Sequence, residues 1–442
     1  MQTYDIIIVG AGPAGSTAAT VLAGAGVRTL LLEEKRMPRH KVCGEFITPE
    51  SFATLERLNL MDSLRQAGAR DISTVTLCAE NGRKLITPIR RFSPFDSGLG
   101  LSRARLDHIM LDRARQAGAV CIEGAAVKQC VFDRGKANGV EALLLPSGKP
   151  AVFAAPLVID ASGRNSRIMA DGAGRQPHPS GRGDSRLYAL KAHLEGVQGV
   201  DDGLELYFFR QGYGGISAIE DGLANVCFIT TSQTLRSCSG DPMKVVESTL
   251  MKNPAVRARL SGSRPVGKWL SVGPLTFGRK RTSRNGVIAI GDAAGMIDPF
   301  TGTGIQIALR TGEVLAQSVI DALAGHARPA VRDPEYLRGP APKTVPSQGG
   351  RSTAPESGQS IETVLDGKSK HSDGRRTLGG IYESVLSSYQ RRYDAEFGER
   401  MWAARMLRRA AFSVRTANAM GGVLTAVPWL GRQMIKATRR GA

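Results

Sequence analysis

Gly10, Gly12 and Gly15 stand directly after the apolar, β-branched run Tyr4–Val9 and just ahead of Ser16–Ala25, a stretch of small, helix-compatible residues. In a strand–turn–helix setting each glycine has its own task. The first permits a tight turn, the second lets an anionic group approach the backbone, and the third allows close helix–strand packing. The free N–H groups and positive dipole end at the helix start, with Ala14 among the residues there, favour a diphosphate. Glu33, 18 residues past Gly15, ends the next apolar run and is followed by Glu34. A carboxylate there is placed to accept hydrogen bonds from a ribose, so the segment predicts dinucleotide binding.

A second glycine-rich stretch lies far along the chain. Gly286–Gly291 is strand-like and leads into Asp292, then into Asp298-Pro299-Phe300-Thr301-Gly302-Thr303-Gly304 and a helical pattern. An aspartate at such a strand end can hold a ribityl hydroxyl. The helix start can set N–H groups beside a ring that turns anionic on reduction, which separates a flavin from a nicotinamide dinucleotide. Three further segments carry reactive types. His40 and Lys41 are basic enough to approach phosphates; Cys43-Gly44-Glu45 offers a thiol and a carboxyl capable of proton transfer; and the Arg103 guanidinium can fork onto a diphosphate or ribityl chain. Tyr213, among the glycines of Gly212–Gly215, is a candidate for the wall of a substrate cavity.

These residues need a scaffold that brings distant segments together. Tyr4–Val9, the helix after Gly15 and Val27–Leu32 form a βαβ unit, with strands apolar on both faces as a parallel sheet requires. A second α/β stretch runs from Leu101 to Arg167, with a helix over Leu106–Gln116, strand-like Val120–Glu123 and the apolar run Ala155–Ile159. From Ser185 to Phe277 the texture changes to strands separated by glycine turns, including Arg186–Leu194, Glu205–Phe209 and Asn225–Thr230, which predicts a separate sheet. Gly304–Leu323 returns to a helical pattern. The fold class is therefore α/β: a discontinuous Rossmann-like dinucleotide-binding domain over residues 1–75, 101–175 and 281–325, with a sheet-based substrate domain over 76–100 and 176–280. Residues 326–377, rich in Pro, Gly, Ser and charge, predict a disordered insertion. Residues 378–442 predict a helical end with Trp402, Phe412 and Trp429 on its apolar side.

At these residues the chain resembles FAD-dependent oxidoreductases of the p-hydroxybenzoate hydroxylase fold. Three separated elements carry the likeness: the opening glycine turn, Ser102-Arg103-Ala104-Arg105-Leu106-Asp107, and the block from Gly291-Asp292-Ala293-Ala294 to Gly304. Pro38–Glu45 and Val158-Ile159-Asp160-Ala161-Ser162-Gly163-Arg164 are similar to the geranylgeranyl reductase and flavin-halogenase branch. The resemblance implies FAD held by Gly10, Gly12, Ala14, Gly15, Glu33, Glu34, Lys41, Cys43, Gly44, Arg103, Val127, Gly163, Asp292, Pro299, Gly302, Thr303 and Gly304, with Cys43, Glu45 and Tyr213 as catalytic candidates. It implies either reduction of a C=C bond in an apolar molecule or, as the alternative, hydroxylation or epoxidation of a polyketide-like or aromatic one. A non-redox prenyl or lipid binder of the same fold is a third reading.

The departures narrow this. Ser162 stands where aromatic hydroxylases usually carry Asp. Gly212–Ala218 lacks both the YxWxFP-like segment of isoprenoid reductases and the GWxWxIP-like segment of halogenases. With no nicotinamide domain visible, NADPH or NADH is expected as an external donor, or else a partner reductase.

Composition supplies the exclusions. The 442 residues are 42% hydrophobic and 22% charged, enough for a large core. Six cysteines form no CxxC or Cys/His cluster, so neither a metal site nor a disulfide framework is expected. No apolar run of ~18 residues occurs and no basic leader precedes the first strand, which points to the cytosol. The net charge of +19 owes much to the end of the chain, where Met401–Ala442 carries eight basic residues and no acidic one. Peripheral contact with an anionic membrane through that region is an expectation; nucleic-acid binding, lacking any motif, is not.

Overall fold

The computed structural model describes residues 2–166, 168–170, 186–326 and 374–411. At its centre Val120–Glu123, Thr29–Glu33, Ile6–Val9, Leu157–Asp160 and Val287–Ala289 lie side by side in parallel, with Ser283–Arg284 antiparallel at one edge. Ile6, Ile7 and Ile8 are fully buried because helices cover one face of this sheet and a four-stranded sheet covers the other. The covering helices are Pro13–Gly24, Arg103–Gln116 and Gly304–His326. The opening and late helices approach so closely that a Cβ at Gly312 would stand 2.3 Å from the Ala14 carbonyl oxygen.

Thr74–Cys78 and Lys84–Pro88 leave this layer and join five strands of the region 187–272. The resulting seven-stranded sheet runs Lys84–Pro88, Thr74–Cys78, Gly203–Phe209, Gly212–Ala218, Ala224–Thr231, Leu187–Glu195, Arg264–Val272. Its pairings are antiparallel except that Thr74–Cys78 runs parallel to Gly203–Phe209. Register decides which residues share a face. Leu77, Leu206, Gly215, Cys227 and Lys191 form one row across five strands, and Leu204, Ser217, Asn225 and His193 form the next. The opposite face buries Leu190, Ala192, Leu194, Val226 and Phe228 against Val245, Val246 and Leu250.

Helix Gly374–Ala411 braces the back of the parallel sheet. The Tyr389 hydroxyl donates to the Ala289 carbonyl at 3.0 Å, Glu396 pairs with Arg310 at 2.8 Å, and buried Arg400 donates to the Gln306 side chain at 2.8 Å. The late helix is thus held on both sides. The expected disordered insertion falls almost wholly on 327–373, outside the described residues, and its last four positions, 374–377, are helical. Residues 412–442, which carry Phe412, Trp429 and five of the eight basic residues of the tail, also lie outside them, and with them the expected membrane contact. Among the described residues no helix is long and apolar enough to cross a membrane, and no three His, Cys, Asp or Glu groups converge as a metal site.

Candidate active site

One cavity of about 570 Å³ runs between the parallel sheet and the seven-stranded sheet. Gly12, Ala14, Lys41, Arg103, Gly163, Asp292, Pro299, Gly302 and Gly304 line one end, and Cys43, Gly44 and Glu45 line the middle. The far wall is apolar, with Val75, Leu77, Leu204, Leu206, Phe208 and Ile229, while exposed Glu80, Arg83 and Arg210 mark the opening to solvent. Tyr213 lies on this wall too.

The first end is shaped by glycines with different duties. A Cβ on Gly15 would fall 1.9 Å from the Gly10 carbonyl oxygen, so this glycine closes the turn. Gly10 has φ +107° and would meet the Ala161 carbonyl oxygen at 2.5 Å. Gly12 differs: a Cβ there would see only an Arg103 nitrogen, 3.8 Å away, so its surface faces the cavity. The helix it opens has no side-chain cap, which leaves its first amides directed at that space. Arg103 is locked to buried Asp107 by two bonds of 2.6 and 2.8 Å, and the paired carboxylate raises the guanidinium pKa against the cost of burial. Burial, reinforced by Arg39 and Arg103, brings the Lys41 ammonium down to about 8.

Asp292 completes this end. Burial raises its carboxyl pKa while Lys41, Lys280, Arg103 and Arg164 pull the other way, and the carboxylate accepts no hydrogen bond from any described residue. Uncapped amides, cations and an acceptor-only carboxylate along one groove fit a diphosphate joined to a polyol, as FAD provides. Gly302 is left-handed at φ +68°, and a Cβ on Gly304 would meet nothing within 4 Å, so the late helix also opens onto free space. The residues present therefore fit FAD.

Several expected binders stand outside the cavity wall. Gly10 and Gly15 act through the turn. Glu33 is tied into it, accepting the Ala11 N–H at 2.9 Å and pairing with Arg39 at 3.3 Å, and Glu34 is exposed beyond the strand. Thr303 is buried and exchanges a hydrogen bond with Thr301, while Val127 is half-buried and packs against the core beside the four-stranded sheet.

Among the catalytic candidates, Tyr213 donates its hydroxyl to Asp298 at 2.6 Å within a cluster of Phe208 and Phe300. Burial and that carboxylate push its pKa well above the usual value, so it holds its proton. Glu45 is fully buried, and its partners were not foreseen from the sequence: Lys191 at 2.5 Å, His193 at 2.6 Å and the Arg103 N–H at 2.7 Å. Burial alone would raise its carboxyl pKa; the His193 hydrogen bond and the Lys191 charge outweigh it and hold Glu45 below the usual range. It is thus an anion with both oxygens occupied. The available signal for Lys191 and His193 was alternation. They share a face with Ala189, while Leu190, Ala192 and Leu194 on the other face are all aliphatic.

The fold and the groove define a nucleotide-binding oxidoreductase scaffold with an apolar chamber set against the cofactor end. Residues 3–334 match the FAD binding domain family, and the chain belongs to it. It is an FAD-dependent oxidoreductase. A digeranylgeranylglycerophospholipid reductase of Methanopyrus kandleri is 29% identical over 328 residues, covering 72% of this chain and 78% of that protein. A geranylgeranyl bacteriochlorophyll reductase-like protein of Thermoplasma acidophilum superposes with a TM-score of 0.64 over 99% of this chain and 100% of that one, at 20% identity. A myxobacterial chondrochloren halogenase gives 0.67 over 74% and 77% of the two chains, at 22% identity. At such identities the two superpositions establish the fold alone.

Proposed function

We propose that the protein reduces a carbon–carbon double bond in an apolar, isoprenoid-like small molecule. The observation that carries this is the continuity of the cavity: the cation-lined end passes without a break into a wall of Val75, Leu77, Leu204, Leu206, Phe208 and Ile229. An apolar chain is held there by the area it removes from water, about 25 cal/mol per Å². Reduced FAD supplies hydride chemistry when bound, held by Gly12, Ala14, Lys41, Arg103, Asp292, Gly302 and Gly304. The reductase from Methanopyrus kandleri and the Cys43-Gly44-Glu45 and Asp160-Ala161-Ser162-Gly163 segments support the same reading.

The chain's own groups orient the substrate and govern protons. Glu45, already ionised, anchors the turn that carries Cys43 along the cavity, and we assign proton delivery to the Cys43 thiol. Cys227, on the opposite wall, is pushed up to about 12 by burial and stays a neutral thiol. Tyr213 shapes the chamber and holds the turn at Asp298. NADPH or NADH, arriving from outside, is the proposed electron source.

The test is anaerobic turnover of geranylgeraniol with NADPH, NADH or dithionite as reductant, read by mass spectrometry. A product richer by two hydrogens is expected. Turnover that requires dioxygen and yields a product with an added oxygen atom would overturn the reductase reading in favour of a monooxygenase.

A further inference from the structure

We infer that Lys191 and His193 are positioning residues, acting through Glu45 to hold the Cys43–Gly44 turn and the start of the Arg103 helix in one fixed arrangement. The inference rests on the reading of this cavity as the place of reaction. Glu45 is a junction of three elements. Its Oε1 accepts Lys191 Nζ from the seven-stranded sheet and the amide of Arg103 from the cofactor half; its Oε2 meets His193 Nε2. The carboxylate is fully buried, and Lys191 is 1% exposed, so neither charge has water to replace a lost partner.

The backbone around it is held with equal thoroughness. Glu45 has φ +55°, a left-handed conformation uncommon for a residue with a side chain. Lys191 Nζ also donates to the Lys41 carbonyl at 3.2 Å, Asn225 donates to the Cys43 carbonyl at 3.1 Å, and the Glu45 carbonyl accepts the Leu101 N–H at 3.2 Å. Lys191, His193 and Asn225 come from two adjacent strands of the seven-stranded sheet, in register. The sheet that lines the apolar chamber thus fixes the loop that faces the cofactor end. Withdrawing either partner leaves a buried carboxylate under-compensated, and the turn it anchors relaxes. Cys43 then loses its place, and a displacement of about 1 Å at such a site costs roughly 100-fold in rate.

The experiment compares His193→Leu with His193→Gln in the FAD-loaded protein, alongside Lys191→Met. Gln retains an N–H donor near the position of Nε2, so the pair separates loss of the hydrogen bond from loss of the ring. The first readout is the rate of Cys43 alkylation by iodoacetamide, located by mass spectrometry. We expect it to rise about tenfold in His193→Leu and Lys191→Met, as a loosened turn exposes the thiol, and to stay at the wild-type rate in His193→Gln. The second is turnover: kcat falls roughly 100-fold in His193→Leu, KM stays within about twofold, and His193→Gln restores most of the rate. Equal alkylation rates in wild type, His193→Leu and His193→Gln would overturn the inference, and that pair decides it even if Lys191→Met does not fold. The alkylation contrast reads the Cys43 turn and its thiol without any turnover, so it stands if the reaction proves not to be C=C reduction.

Discussion

The two ends of the cavity are built by different means. The cofactor end is made of backbone: Gly10, Gly12 and Gly15 in one turn, Gly302 and Gly304 in another, with Arg103 and Lys41 supplying charge. The apolar end, where we place the substrate, is made of side chains standing at alternate positions on five strands, where Leu77, Leu206, Gly215 and Cys227 meet only because the register aligns them. Backbone recognition depends on a local conformation, and a wrong atom there excludes the ligand outright. A wall of alternating side chains depends on volume, and it tolerates changes that redraw the chamber. The first end therefore suits a ligand of fixed shape and the second one whose shape can vary.

That contrast can be broken at graded cost. Within the glycine turn itself, Gly15→Ala should be the most damaging change, because its Cβ would overlap the Gly10 carbonyl oxygen at 1.9 Å. We expect a loss of about 3 kcal/mol or more, seen as insoluble protein or a sharply lowered Tm. Gly12→Ala, three residues away, meets only Arg103 at 3.8 Å and should leave Tm nearly unchanged. It places a methyl where the diphosphate approaches, so FAD affinity measured by fluorescence titration should fall roughly 100-fold. If both variants lose stability equally, the division between turn-closing and ligand-facing glycines fails.

At the other end Gly215 faces the cavity between Leu206 and Cys227, with a Cβ meeting Leu206 at 3.2 Å. Gly215→Leu should raise KM for a long apolar substrate about tenfold and leave FAD loading intact. A chamber that ignores this substitution is not where the substrate lies. The smallest effect is one of pH. Lys41 loses its proton as pH rises through about 8, and the charged form is the one that attracts a diphosphate. FAD affinity should therefore weaken by roughly threefold to tenfold between about pH 7 and 9, and Lys41→Met should flatten that slope.

Legibility followed the same division. The opening βαβ unit, the helix ending at Gln116 and the strand Val120–Glu123 were all readable from apolar periodicity and glycine position. Val127 and Thr303 stand off the cavity wall, one half-buried against the core beside the four-stranded sheet and the other in a turn, and nothing local in the sequence distinguishes a residue lining a cavity from one a layer behind it. Glu45 was readable as a candidate acid, yet its state was not. A carboxyl beside Gly44 looks able to titrate until Lys191 and His193 arrive from nearly 150 positions away.

The sequence by itself determined the cofactor class and the α/β scaffold, because glycine spacing and buried periodicity act through bonds and contacts a few residues long. Only the tertiary structure decided the chamber and the ion junction at Glu45. Those depend on strand register between segments far apart in the chain, where a shift of one residue would turn Lys191 and Cys227 to the opposite face.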